Sequence, residues 1–230
     1  MKVTYLEHSG FAAEYKEYVL IFDWYRGSLP EFDPRKKIYV FASHSHYDHF
    51  NKKIFGCSEQ YPDVRYILSA DITGKGQPGQ IIYVTANKEY DFDGIKVQTL
   101  HSTDEGVAFI VYMEDKVIYH AGDLNWWHWE EETESYNEQM RQDYQREIDK
   151  LKDIVIDIAF VPLDPRQENQ YAWGMDYFMK HTHTKYVFPM HMWGYDILDE
   201  LLENPVSEPY RERIMKVKEP GQSFYFEEER

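Results

Sequence analysis

The sequence predicts a mixed α/β protein with a sheet-rich core and helices outside it. Two observations carry this. Short apolar runs of strand length fill the first half of the chain. Near Thr133 the period changes to that of an amphipathic helix, and beyond it strand-like and helix-like segments alternate.

In order, Val3 to Leu6, Phe11 to Tyr15 and Tyr18 to Phe22 read as a meander of strands. Ile38 to Ala42 is continuously apolar, as a strand buried on both faces must be. Val64 to Leu68, Ile81 to Val84, Ile95 to Leu100, Val107 to Met113 and Val117 to Ala121 follow as strands. Asp93-Gly94 and Glu114-Asp115 supply turn chemistry between some of them. From Thr133 to Asp153, Tyr136, Met140, Tyr144, Ile148 and Leu151 make one helical stripe. Ile156 to Val161 is again a strand, Asn169 to Lys180 a helix and Tyr186 to Met190 a strand. A helix near Asp196 to Glu203 precedes a final strand pair, Arg213 to Val217 and Ser223 to Phe226.

With 230 residues, 43% hydrophobic and 29% charged, the chain has globular composition and length for one domain over residues 1–230. It holds 41 Asp and Glu against 25 Lys and Arg, a net charge of −16, which repels phosphate backbones. The basic runs Arg35-Lys36-Lys37 and Lys52-Lys53 are short, so no nucleic-acid partner is expected. The lone Cys57 excludes an internal disulfide and a thiolate metal cage. It reads as a small buried side chain. No run spans a bilayer and no secretory signal opens the chain, so no membrane partner and a cytoplasmic setting are expected.

The strongest chemical signal is Ser43-His44-Ser45-His46-Tyr47-Asp48-His49, just after the buried strand. His44 and His46 stand at alternate positions and can point the same way in extended backbone. Asp48 and His49 follow as the chain turns. Imidazole and carboxylate suit zinc, manganese or iron(II). His101, Asp123 and His191 repeat the logic, each a polar ligand type just beyond an apolar strand. Five His and two Asp exceed the ligand count of one zinc and fit two divalent ions with an open position, zinc first among them.

The HxHxDH pattern at His44 to His49, a distant His, a Gly-Asp and a final His resemble the metallo-β-lactamase fold superfamily of hydrolases. His8-Ser9-Gly10-Phe11, the phrase from His120 to Trp127, and Pro189-Met190-His191 are similar to its predicted-hydrolase branch, which includes ascorbate-6-phosphate lactonase. The resemblance implies a four-layer αββα sandwich of two mixed sheets. It implies that His44, His46 and His101 bind one metal, that Asp48, His49 and His191 bind a second, and that Asp123 bridges them. Asp23 would support the site without touching metal.

On this reading Asp48 and Asp123 belong to the catalytic centre of a dinuclear hydrolase. A hydroxide bridging the metals would attack an ester, lactone, amide or phosphoester of a small molecule. Arg166 is a candidate for holding a substrate anion, with a structural ion pair as its equal alternative. Trp126, among Trp127, His128 and Trp129, is a candidate pocket wall. His8 could approach the metals. His120 reads as structural, and His181 and His183 as a helix-to-strand connection. The competing functions are a mononuclear iron dioxygenase or other redox protein on the same fold, and a nuclease.

Overall fold

The computed structural model describes residues 1–74 and 79–227. Its contacts group them into two compact units. One spans Met1–Thr85 and takes in the chain from Lys218 on; the other spans Ala86–Val217.

In the first unit, β1 (Lys2–Glu7), β2 (Gly10–Tyr15) and β3 (Tyr18–Phe22) form the antiparallel meander. The chain then changes direction. β4 (Lys37–Ala42), β5 (Arg65–Ser69) and β6 (Ile81–Val84) run parallel to β3. Strand β13 (Ser223–Tyr225) pairs antiparallel with β1 at the far edge. Strands β3 and β4 are central and almost wholly buried, which their unbroken apolar sequences require. On one face, alternate residues Val19 and Ile21, Ile38 and Val40, and Tyr66 and Leu68 form a core with Leu6 and Ile54. Each such side chain contributes about 1.5–3 kcal/mol over its exposed state. A turn of 3-10 helix at Lys52–Gly56 leads into the short α1 (Cys57–Gln60), which buries Cys57 in this core.

Parallel pairing has a consequence for function. With Phe22 opposite Phe41, and Phe41 opposite Ile67, the chain leaves β3, β4 and β5 at one edge of the sheet. Asp23, Ser43 and Asp71 follow those three strand ends.

In the second unit, β7 (Glu89–Phe92), β8 (Ile95–His101), β9 (Val107–Met113) and β10 (Lys116–His120) are antiparallel neighbours. Strands β11 (Val155–Pro162) and β12 (His183–Met190) continue the sheet parallel to β10. The same rule applies: Asp123, Asp164 and His191 follow the ends of β10, β11 and β12. Helix α2 (Glu134–Ile148) is capped by Thr133, whose Oγ1 accepts from Tyr136 N at 3.2 Å. Helices α3 (Trp173–His181) and α4 (Asp196–Glu203) complete the unit. No helix among the described residues is long and apolar enough to cross a membrane.

Three sequence expectations need correction, and one strand has no apolar signal. Arg213 to Val217 is not a strand. It is a 3-10 turn at Arg211–Arg213 followed by one isolated bridge, Val187 to Ile214. Its buried residues Ile214 and Val217 lie three apart, a turn spacing rather than a strand's two. The helix expected from Asn169 begins at Trp173, because residues 165–170 form 3-10 turns broken at Glu168, whose φ is 49°. Tyr136 is exposed, and the buried face of α2 passes through Asn137, Met140, Tyr144 and Ile148. Strand β7 carries too many charges to show an apolar run; the Asp93-Gly94 turn folds it onto β8.

Candidate metal centre

The first unit gathers five ligand-type side chains. Asp23 is fully buried, and its left-handed backbone (φ 43°) turns the carboxylate back under the end of β4. Its Oδ1 accepts from Ser43 N at 2.8 Å and its Oδ2 from Ser43 Oγ at 2.7 Å. Oδ2 also accepts from His49 Nδ1 at 2.7 Å. A carboxylate can only accept, so His49 carries a proton on Nδ1 and offers Nε2 as its ligating atom. Ser43 has spent its hydroxyl proton on Asp23, so its oxygen accepts from His44 Nδ1 at 3.0 Å. One aspartate therefore sets the tautomer of two histidines, directly in His49 and through a serine in His44.

The turn that follows is closed by His49 N and Phe50 N, which both donate to His46 O. Asp71, beyond β5, accepts from Ser45 N at 2.7 Å and pins the middle of the loop. The Asp71 carboxyl lies below its ordinary range: burial alone would raise it, but hydrogen bonds from Ser69 and Ser45 outweigh that. The His44 and His46 rings lie 4.6 Å apart, and those of His44 and His49 4.2 Å. His44 and His49 are buried, and His46 is exposed.

His8, in the turn from β1 to β2, joins this set. Its φ is 53°, and its backbone N–H donates to the Tyr5 hydroxyl at 2.7 Å. Its Nε2 reaches within 3.6 Å of Asp48 Oδ2. The ligand atoms of His8, Asp48 and His49 all lie within 4.8 Å of one another, and so do those of His44 and His46. That is a donor set of imidazole nitrogen and carboxylate oxygen, largely buried, with two of its histidines locked to present Nε2. It fits zinc, manganese or iron(II).

The second unit repeats the device. His191 Nδ1 donates to Asp164 Oδ2 at 2.9 Å, which turns its Nε2 toward Asp123 Oδ1 at 3.6 Å. His191 takes a left-handed backbone (φ 63°), and Gly122 (φ 54°) provides the bend ahead of Asp123. The loop carrying Asp123 is held by hydrogen bonds: Trp127 Nε1 donates to Asp123 O at 2.9 Å, and Thr103 Oγ1 to Asn125 O at 2.6 Å. Arg166 grips both oxygens of Asp164 through Nε at 3.0 and 2.9 Å. Burial raises the Asp164 carboxyl, yet bonds from His191 and Arg166 bring it below its ordinary value.

The remaining expected residues fall as follows. His101 ends β8 with an exposed side chain, its backbone N–H donating to Glu147 Oε2 at 3.1 Å. It belongs to no candidate metal group among the described residues. Arg166 is committed to the ion pair with Asp164, and its guanidinium also lies 5.2 Å from the Trp193 ring centre. Trp126 packs on Trp173 at 5.3 Å. His120 is buried against Phe160 and accepts from Gly122 N at 3.1 Å. His181 closes α3, stacked on Tyr177, and His183 opens β12. Sequence reasoning passed over Asp71 and Asp164 as positioning groups. Their signal was available: each is an Asp within two residues of a parallel strand's end, as Asp23 is.

Comparison with known proteins places these features in a family. Residues 2–138 match the family described as "Beta-lactamase superfamily domain". A "UPF0173 metal-dependent hydrolase" of Desulforamulus reducens is 28% identical over 141 residues, covering 54% of this chain and 62% of that protein. The match thus spans about three-fifths of the length of that curated relative. Igni18, described as a novel metallo hydrolase from Ignicoccus hospitalis, superposes with a TM-score of 0.67 at 18% identity. That likeness covers 98% of this chain and 99% of Igni18. CmlA, a diiron β-hydroxylase from Streptomyces venezuelae, superposes with a TM-score of 0.55 at 11% identity, over 85% of this chain and 45% of CmlA. The fold is the metallo-β-lactamase fold that the sequence resemblance implies.

Proposed function

We propose that this chain, which belongs to the beta-lactamase superfamily domain family, is a dinuclear metal-dependent hydrolase of a small molecule. The observation that carries this is the paired clamp: Asp23 on His49 Nδ1 and Asp164 on His191 Nδ1. A histidine held by a buried carboxylate at one nitrogen is a histidine prepared to ligate with the other.

In this reading His44, His46 and His101 would hold one cation and Asp48, His49 and His191 the other, and Asp123 would serve both. His8 would be an added donor from the turn before β2. When bound, two divalent ions, zinc first among them, supply a water of lowered pKa and a Lewis acid for a developing oxyanion. The protein's own groups do the rest. Asp23 and Asp164 hold the Nδ1 protons and so orient Nε2 as the ligating atom of each imidazole. Asp71 and the turn at His46 keep the loop from relaxing. Asp48 and Asp123 place anionic oxygen where cations must sit. Arg166, bound to Asp164, holds that clamp charged rather than gripping substrate.

Chelation followed by reloading tests the proposal. Metal-free protein should lose hydrolysis of esters, lactones, thioesters or phosphodiesters, and zinc or manganese should restore it. Full turnover in metal-free protein would refute the proposal. Oxygen uptake by iron-loaded protein, without hydrolysis, would favour the redox reading instead.

A further inference from the structure

We propose that the second unit carries a binding site for a small organic ammonium ion, in a cavity between the loop after Asp123 and the start of α2 and α3. The proposal is independent of the metal chemistry. The cavity has a volume of about 420 Å³ and is walled by Trp126, His128 and Trp173. Glu130, Glu132 and Glu134 stand around it.

The aromatic side chains supply the wall. Trp127 and Trp129, beside the cavity, lie nearly parallel, 5.7 Å apart at 6°. The cavity rings instead meet at angles. Trp126 and Trp173 are 5.3 Å apart at 57°, and His128 and Trp173 5.0 Å apart at 64°. Tilted rings make a corner. Trp173 leaves 39% of its surface in solvent, so part of this aromatic wall is open to a ligand.

The charges select the ligand's sign. The one strong cation in the lining, Arg141, is committed to Glu138 and to Gln145, Nη1 to Oε1 at 2.9 Å. Glu134 stands in the first turn of α2, where the helix dipole accounts for it. Glu130 and Glu132 form no ion pair among the described residues. An anion would be repelled here. A hydrated metal ion would have no use for indole walls. An alkylammonium group suits both features, since its methyl or methylene surface leaves water against the indole faces while its charge meets the ring quadrupoles and the carboxylates.

The walls are also fixed before any ligand arrives. Asn137, buried on α2, accepts from Trp129 N at 3.0 Å and donates to Trp129 O at 2.8 Å. Gln167 Nε2 donates to Trp126 O at 2.9 Å. A preformed corner avoids an ordering cost on binding.

Calorimetric titration of the whole protein with choline chloride tests this, against its neutral isostere 3,3-dimethylbutan-1-ol and against calcium chloride. Choline should bind at one site with a Kd of about 1–10 mM. The isostere should bind at least about tenfold more weakly. Trp173→Leu should weaken choline about tenfold. Glu130→Gln with Glu132→Gln, at exposed positions that do not threaten folding, should weaken it by a factor of about three to ten, more at low salt. All variants should melt with the wild type. No choline binding, equal binding of the isostere, or calcium binding that survives Trp173→Leu and excludes choline would each overturn the proposal.

Discussion

The two compact units solve one problem with the same part and finish it differently. Each ends a parallel strand with a buried aspartate that holds a histidine by Nδ1, Asp23 on His49 and Asp164 on His191. Asp23 is sealed. Its oxygens are taken by Ser43 N, Ser43 Oγ and His49, all inside the protein. Asp164 is equally buried but is gripped by Arg166, whose side chain is half exposed. A sealed clamp depends on local packing. A clamp tied to a surface arginine depends on charge and can be tuned from outside.

Several substitutions sharpen or break that contrast. Asp23→Ala should have the largest effect, because it leaves three buried donors without an acceptor. It should cost about 3 kcal/mol in denaturant unfolding, and retention of wild-type stability would break the sealed half of the comparison. Asp164→Ala should cost less, about 1–2 kcal/mol, since Arg166 can turn into water. It should still weaken metal binding about 10–100-fold in a competition titration, because His191 loses its orienting group. Arg166→Ala should cost under about 1 kcal/mol as a half-exposed pair. Substrate KM should be unchanged in that variant, and a large rise in KM would return Arg166 to the role of an anion holder.

The smallest effect concerns Cys57, away from both clamps. Burial pushes its thiol up to about 11 from 9.0. The folded state therefore holds this proton more tightly than the unfolded chain does. Its contribution to stability is whole below about pH 9 and is lost as pH rises from there toward 11. At pH 8 the native thiol should alkylate at least about 100-fold more slowly than in denaturant. Equal rates would show that this part of the first unit's core is open.

Much of this architecture was legible in the sequence, for a physical reason. A strand buried on both faces must be apolar throughout, so Ile38 to Ala42 announced itself. Polar groups at such a strand's exit need another explanation, which drew attention to His44 to His49, Asp123 and His191. What stayed hidden lacked a periodic signature. Charged β7 is recruited by its hairpin turn. Arg211–Arg213 forms a turn because Ile214 and Val217 are buried at turn spacing. His8 meets Asp48 only because a left-handed residue reverses the chain between β1 and β2. Asp71 and Asp164 act through loops whose partners lie 26 and 27 residues away, distances no local pattern reports.

Metal analysis of the purified, zinc-loaded protein tests the central claim most directly, in the wild type and in His49→Ala and His191→Ala. The account predicts about two bound ions per chain in the wild type and a loss of about one in each variant. A wild type that binds no ion after loading, or variants that keep the full complement, would contradict it.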